Sequence, residues 1–516
     1  MTKKFYITTA IDYVNAEPHI GHAFEKVIAD ALARYKKSKG DKVFFLTGVD
    51  ENAQKNVQAA EAAGIAVKEF IDKNVALFLD LCKQLNISYD KFIRTTAKEH
   101  VKVVHEVLKK VIDKGDIYKG NYEGYYCTGC EAFITEKDLV EGKCLEHNKE
   151  PEFLKQEAYF FKLSKYKEKL IKFVENYIIP ESRKKEILSR LKEDLKDVCV
   201  SRKGVEWGID FPGDKNFKVW VWIDALINYI SGAKEKWPAD VHVIGKGINW
   251  FHSVIWPAIL MSAGYELPDT LLVHGYLNLG GKKISKSLGN IIDPLELLKK
   301  YGADPVRYAL LRSSVFDDSD FSEEILIERH NNELANKLGN LVSRVVGLIE
   351  RNGIEDIKRE IIASLENHSS EIKNSVKIEY PRGLVSESKL NKNKLVGGVS
   401  LFIHKKNSLY SDIRYIDKYS LAEDIRAIIE RCTDEFEFDK ALSWIFAYID
   451  LCNKYIQNEK LWEKDKVPSH LIKDILKIAE LLCPFIPESS EKITKQFSAK
   501  KIKKSEILFK KILQSK

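Results

Sequence analysis

Nothing in this sequence offers a bilayer span. The longest apolar stretch, from Val219 to Ile230, is broken by Asp224 and falls short of the roughly 20 residues a spanning helix needs. No charged and then apolar leader stands before Phe5, so no secretory signal is expected. Charge of one sign does not dominate: 83 Lys and Arg against 76 Asp and Glu leave a net +7. That modest excess suits a soluble protein with an acidic partner and lacks the imbalance of a disordered basic binder. No internal repeat is visible. Cysteine is sparse, at eight residues. In the cytoplasmic, reducing setting expected here, those cysteines read as thiols and metal ligands rather than disulfides.

What is present suits several packed units. A chain of 516 residues with 44% apolar content is too long for one ordinary domain, and about two to four are expected. Lys4 to Ile11 is rich in β-branched and aromatic residues and reads as a strand. His22 to Lys37 places Ile28, Ala31, Leu32 and Tyr35 on one helical face. Lys42 to Thr47 is a second strand, ending at Gly48 and Asp50. Strand, helix, strand is the pattern of a parallel sheet. Phe70, Leu77, Phe78, Leu81 and Leu85 then recur at helical spacing. The sheet pattern returns at Val219 to Ile223, at Val241 to Gly245 and at Leu271 to Gly275. Beyond about residue 325 the chain reads as helical to its end. One break lies between Val376 and Tyr415, where Pro381, Gly383, Gly397 and Gly398 punctuate an alternating stretch. It reads as a small β insertion or ordered loop, with a disordered linker as the alternative.

Three peptides carry chemistry. Pro18-His19-Ile20-Gly21-His22 sits where the first strand gives way to a helix. The unpaired N–H groups and dipole of a helix start favour anions. Gly21 keeps side-chain bulk away from an approaching nucleotide, and two imidazoles can donate to phosphate oxygens as charge builds. Alone, this is also what two surface histidines in a loop look like. Gly280-Gly281-Lys282-Lys283-Ile284-Ser285-Lys286-Ser287 is the second peptide. Its flexible ammonium groups on Lys283 and Lys286 can follow a departing pyrophosphate, and Ser285 and Ser287 add donors. The bland reading is a solvated basic loop. Third, Cys127-x2-Cys130 and Cys144-x2-His147 are separated by thirteen residues. Three thiolates and an imidazole make a closed tetrahedral zinc site of the structural type. Such a staple suits a small polar insert. The second pair argues against a redox dithiol at Cys127 and Cys130. Cys82, Cys199, Cys432, Cys452 and Cys483 read as isolated core thiols.

The first two peptides resemble the HIGH and KMSKS signatures of class I aminoacyl-tRNA synthetases, with Ile284 where the second signature has methionine. The opening Phe5 to Pro18, the block Phe45 to Asn52, Val221-Trp222-Ile223-Asp224-Ala225-Leu226, and Gly245 to Ile248 with Phe251-His252 resemble the methionyl-tRNA synthetase family over nearly the whole chain. The resemblance implies an α/β fold: a doubly wound, Rossmann-like parallel catalytic sheet with a zinc-knuckle insert, followed by an all-α helical bundle. The expected units are 1–117 and 200–275 for the split catalytic domain, 118–199 for the insert, 276–325 for the lysine-signature region and 326–516 for an anticodon-binding bundle with an atypical insertion near 376–415.

The family match also implies site residues. His19, His22, Lys283 and Lys286 would be catalytic, and ATP would lie against His19, Gly21, His22, Lys283, Ser285, Lys286 and Ser287. A methionine pocket would use Ala10, Ile11, Tyr13, Trp222, Ala225, Tyr229, Ile248 and His252, with Asp50 taking the substrate ammonium. A polarisable thioether packs well on aromatic rings, and Tyr13 or His252 would supply its one polar contact. Without the family match, Trp222, Tyr229 and Ile248 would read as ordinary core. Asn340, Arg344 and Trp462 would read the anticodon by edge contacts and stacking; from residues alone the favoured reading is that Arg344 is a surface charge and Trp462 a buried helix residue. The implied cofactors are one structural Zn²⁺ and Mg²⁺ with ATP. The implied partners are ATP, L-methionine and a methionine tRNA, with no membrane. The family's optional C-terminal β-barrel has no counterpart here, so a monomer is expected. The lysine-rich tail from Lys500 to Lys516 is expected to be solvated or to touch the tRNA backbone. Two departures from the family pattern stand near the pocket: Asp12 where an apolar, aromatic or proline residue is usual, and Asn52-Ala53 in place of His-Gly.

The activity implied is ATP-dependent joining of methionine to tRNA through an adenylate. The alternatives are a class I synthetase for another apolar amino acid, or a non-catalytic tRNA-binding relative. Asp50 to Val219 leaves no room for the large editing insertion of the former beside the zinc knot. Intact His19, His22, Lys283 and Lys286 speak against the latter. A plain nucleotidylyltransferase would have neither the insert nor the helical tail.

Overall fold

The computed structural model describes residues 3–134, 139–145, 150–283, 292–354 and 418–513, with side chains described except at 282–283 and 418–424. The insertion expected near Val376 to Tyr415 lies outside the described residues, as do His147, Ser285, Lys286 and Ser287.

The opening strand β1 (Lys4–Thr9) is buried from Phe5 onward, as a strand covered on both faces must be. The chain breaks at Ala10 and Ile11, then resumes as the short β2 (Asp12–Tyr13). Helix α1 (Ile20–Ser38) follows, and strand β3 (Lys42–Asp50) returns beside β1 with Phe5 opposite Val43 and Thr8 opposite Leu46. The strand β4 (Lys91–Arg94) pairs with the other side of β3. On the far side of β1 lie Val241–Gly245, then Thr270–His274, then Ile178–Ile179. All seven strands run parallel. The chain thus builds outward from β1 in one direction through β3, and later in the other through Val241–Gly245. The gap at the carboxyl ends of those two neighbours is the switch point where open α/β sheets bind ligands.

One expected strand is a helix. The apolar run over Val219–Ile223 splits: an antiparallel strand, Asp214–Val219, ends there and a helix spans Val221–Ser231. Every residue of that helix from Val221 to Ile230 is buried. A helix covered on all sides has no polar face to print a 3.6-residue period, so its sequence reads like a buried strand.

The insert is a long antiparallel hairpin, Ile117–Cys127 against Glu152–Phe161, with Ala132–Ile134 along one edge and Val198–Cys199 along the other. The cysteine peptides form its tip. After residue 322 the described chain is helical: Glu323–Arg329, Asn340–Asn352, Lys418–Asp434, Phe438–Asn458, Ser469–Leu482 and Pro487–Phe497 are α-helices. Arg307, fully buried, ties these helices to α1. It pairs with Asp30 at 2.7 Å and donates to the carbonyls of Leu85, Pro484 and Phe485 at 2.9–3.1 Å. The lysine-rich tail is not wholly solvated. Ile502 and Phe509 are buried, and Ile512 and Asn331 exchange two hydrogen bonds. Among the described residues no helix is long and apolar enough to cross a membrane.

Candidate active site

His19 is the cap of α1, with extended backbone at φ −122° and ψ 171°. Its Nδ1 accepts the Gly21 N–H at 3.1 Å, and the Nδ1 of His22 accepts the His19 N–H at 3.1 Å. Two of the orphan donors at the helix start are satisfied reciprocally, as in a capping box. Because each Nδ1 is an acceptor, each neutral ring carries its proton on Nε2. The rings stack at 3.7 Å between centroids. A Cβ added to Gly21 would stand 2.9 Å from His19 Cε1, so glycine here makes room for the cap itself. The His22 Nε2 lies 3.8 Å from Asp12 Oδ1, and the other Asp12 oxygen pairs with Lys26, whose side chain is fully buried.

Beside this turn a cavity of about 200 Å³ opens at the switch point. Ala10, Ile11 and Tyr13 enter it where β1 breaks, and Asp50 where β3 ends. Trp222, Ala225 and Tyr229, at i, i+3 and i+7 of the buried helix, supply one wall. Ile248 and His252 follow the strand Val241–Gly245 and supply another. The nine residues expected around an amino acid thus line one cavity, and His22 lines it with them.

The walls are largely apolar or internally satisfied. Trp222 stacks on Phe251 at 3.7 Å, meets the Tyr13 ring edge-on at 6.2 Å, and donates its Nε1–H to the Cys130 carbonyl at 3.3 Å. His252 Nδ1 donates to the Ile248 carbonyl at 3.1 Å, so Nε2 accepts the Tyr229 hydroxyl at 2.7 Å. Both its nitrogens are occupied. The Tyr13 hydroxyl is buried without a partner, which makes Tyr13 rather than His252 the residue able to offer a polar contact. Lys55 Nζ sits 3.2 Å above the Tyr13 ring, and burial brings that ammonium down to about 8. Burial, and then the neighbouring Asp224 carboxylate, hold Asp50 well above the usual carboxylate range. An arriving ammonium would reverse this by supplying the missing opposite charge.

Burial depresses His252 from 6.5 to about 4. The unfolded chain takes up this proton near 6.5 and the folded chain only near 4, so the contribution to stability is full above that window and is lost as pH falls through it. Thermal midpoints should therefore drop between about pH 7 and pH 5, and drop less in His252→Gln. Equal slopes for the two proteins by scanning fluorimetry would contradict this.

Sequence reasoning missed Glu25, Gly247 and Tyr276, which also line the cavity. Glu25 lies three residues after His22 on the same helix face, a signal that spacing could have supplied. One of its carboxylate oxygens lies 3.1 Å from His274 Nε2. Tyr276 belongs to the chain leading into the lysine peptide. There Leu277–Leu279 and Lys282–Lys283 form a hairpin whose turn residues, Gly280 and Gly281, take φ of 58° and 73°. Positive φ at both positions is the hairpin turn that glycine permits. Beyond the lysine peptide, the Ile292 carbonyl accepts the Ile20 N–H at 3.2 Å. Both described flanks of the lysine peptide therefore lie beside the histidine turn or its cavity.

At the insert's tip, one Sγ each from Cys127, Cys130 and Cys144 lie within 4.8 Å of one another, and Cys130 and Cys144 are 3.5 Å apart. Thiolates at about 2.3 Å from one tetrahedral zinc would stand about 3.8 Å apart, so the cluster fits a metal. The tip docks on Lys55 and Trp220, outside the hairpin. Glu131 accepts the Lys55 N–H at 2.6 Å and the Tyr126 hydroxyl at 2.7 Å, and its carbonyl takes the Trp220 Nε1–H at 2.7 Å. Of the remaining thiols, Cys82, Cys199, Cys432 and Cys452 are buried and Cys483 is half-buried.

In the helical region Asn340 is exposed and Arg344 is half-buried, donating to Gln457 at 3.2 Å. Trp462 lies on a short 3-10 turn, Leu461–Glu463, and is 39% exposed. It is not a buried core indole. Asn352, at the end of the helix that carries Asn340 and Arg344, donates to the Leu461 and Lys464 carbonyls on either side of that turn.

Comparisons with known proteins agree in direction. A family model described as tRNA synthetases class I (M) matches residues 5–150 and 135–346. The methionine--tRNA ligase of Clostridium acetobutylicum is 40% identical over 521 residues, spanning 96% of this chain and 73% of the relative. The methionine--tRNA ligase of Rickettsia prowazekii is 37% identical, spanning all of this chain and 96% of the relative. Among solved structures, methionyl-tRNA synthetase of Mycobacterium tuberculosis in complex with methionyl-adenylate superposes with a TM-score of 0.81 at 33% identity, covering 96% of this chain and 94% of that one. The apo form of the mycobacterial enzyme gives 0.73 at 30% identity, covering 96% and 92%.

Proposed function

This chain belongs to the class I (M) tRNA synthetases, and from that footing we propose that it joins L-methionine to its tRNA through a methionyl-adenylate, releasing AMP and pyrophosphate. The observation that carries the reading is the single cavity where β1 and Val241–Gly245 part, which collects the nine expected pocket residues and His22.

In this mechanism the Asp50 carboxylate takes the substrate ammonium. The thioether lies against Trp222, Tyr229 and Ile248, with the Tyr13 hydroxyl as its polar contact. That arrangement aims the substrate carboxylate at the α-phosphate of ATP for in-line attack. The protein supplies position and charge rather than a covalent intermediate. His19 and His22, with protons on Nε2, donate to phosphate oxygens as the pentavalent centre forms. Lys283 and Lys286 follow the departing pyrophosphate, with Ser285 and Ser287 as further donors, and Gly21 keeps the nucleotide's approach open. Magnesium bound with ATP supplies charge neutralisation on the phosphates. Cys127, Cys130 and Cys144 would hold a structural zinc with His147 as fourth ligand, one per chain, closing the insert's tip over Trp222. We place the protein in the cytoplasm, as a monomer.

The second half-reaction needs tRNA. Asn340, Arg344 and the exposed Trp462 are the proposed anticodon contacts. The test is charging of a methionine tRNA transcript by wild type and Trp462→Ala. Wild type should charge it. The variant should raise KM for tRNA about tenfold or more, since stacking on one base contributes about 1–3 kcal/mol. Its amino-acid activation should stay unchanged. Failure of wild type to charge any tRNA, with normal activation, would overturn the ligase reading.

A further inference from the structure

Asp50 is not the only carboxylate beside the amine pocket. Asp224, in the first turn of the helix Val221–Ser231, is as deeply buried. Two buried carboxylates next to one ammonium site create a choice. An ammonium drawn towards the wrong one would carry the rest of the substrate out of line with ATP.

Asn52 touches both. Its backbone N–H donates to Asp50 Oδ1 at 3.1 Å, and its Nδ2 donates to Asp224 Oδ2 at 2.7 Å. The same amide reaches the carbonyl and hydroxyl oxygens of Thr95, each at 3.3 Å. On the far side, His100 Nε2 meets Asp224 Oδ1 at 2.5 Å, while His100 Nδ1 meets the Ser231 hydroxyl at 2.6 Å. Both oxygens of Asp224 are therefore engaged. Asp50 differs: its Oδ2 is buried with no partner, and Asp50 lines the cavity, whose lining does not include Asp224. One acceptor atom is left for an amine where two carboxylates stand close together.

We propose that Asn52 is a positioning residue for the amino-acid substrate: it ties up Asp224 and orients Asp50 so that a single oxygen receives the substrate's ammonium. This rests on the reading of Asp50 as the ammonium's acceptor. It also gives a role to the Asn52 departure, since the amide retains a side-chain donor where the resembled pattern has histidine. Losing that donor frees an oxygen of a buried charge, and such groups do not stay unpaired without cost.

The test is methionine-dependent ATP–pyrophosphate exchange with the full chain. Asn52→Ala should raise KM for methionine about tenfold or more, with KM for ATP and kcat within about twofold of wild type. Asn52→His, which keeps a donor, should recover most of the loss. Asp224→Asn in the Asn52→Ala background should also recover it, because the competing charge is gone. If Asn52→Ala does not fold, Asn52→Leu, which is of similar size and has no donor, carries the same expectation. An unchanged methionine KM in the folded variant overturns the proposal, as does an equal rise in both KM values or no rescue by histidine. Asp50→Ala separates the two ideas. If it too leaves methionine KM unchanged, the ammonium reading fails. If it raises that KM while Asn52→Ala does not, only the positioning role fails.

Discussion

Replacing His22 by alanine should lower kcat for methionine-dependent pyrophosphate exchange by about 100- to 1000-fold, the usual loss when one donor to a charged transition state is removed. The expectation follows from the helix start. His22 accepts the His19 N–H through Nδ1, so its proton is on Nε2, and the ring lines the cavity. The same substitution strips the cap of one acceptor and removes the ring on which His19 stacks. His22→Asn retains an acceptor at this position and a side-chain N–H, and should be less impaired. KM for methionine should move little in either variant, because neither histidine is assigned to the amino acid. Wild-type kcat in a folded His22→Ala protein would remove this residue from the mechanism.

The second large effect concerns stability. Asp12→Ala should destabilise the fold by about 3–5 kcal/mol, the range found when one partner of a buried ion pair is deleted. Lys26 is fully buried and Asp12 nearly so, and the two are hydrogen-bonded. Removing Asp12 leaves an ammonium within the core around α1. Lys26→Met in the Asp12→Ala background should restore most of the loss, since a buried pair often contributes little net stability over apolar residues of similar volume. Chemical denaturation read by intrinsic fluorescence checks both. A change below about 1 kcal/mol for Asp12→Ala would show that the pair is not the buried unit described, given the size expected for such a deletion. Asp12 also faces His22 at 3.8 Å. The departure at Asp12 therefore comes with Lys26, a partner that spacing along one helix does not reveal.

Much of the fold was legible because its signals are local. β1, α1 and β3 follow from β-branched content, helical periodicity and a glycine-acid stop, and they lie within a few residues of the expected bounds. The segments Val241–Gly245 and Thr270–His274 are continuous apolar runs of strand length, as buried parallel strands are. Val219–Ile223 reads as a strand for the same reason, although a helix starts at Val221: uniform burial erases the period that tells helix from strand. The pocket was reached through family resemblance rather than through physics. Trp222, Tyr229 and Ile248 carry no sequence mark that separates a cavity wall from core. What no local signal could give is the traffic between distant segments. Asn52 with Asp224 and Ile20 with Ile292 are each joined by one hydrogen bond across more than a hundred residues of intervening chain, and Trp222 with Cys130 across 92. Those bonds tie the insert to a wall of the substrate cavity and the segment after the lysine peptide to the histidine turn.

ATP–pyrophosphate exchange by the wild-type protein, run in parallel with methionine, valine, isoleucine and leucine, bears most directly on the assignment. The arrangement of Tyr13, Trp222 and Asp50 around one pocket predicts rapid exchange with methionine and background rates with the three branched amino acids. Exchange driven by one of those three and not by methionine, or none with any of them in folded protein, would contradict it.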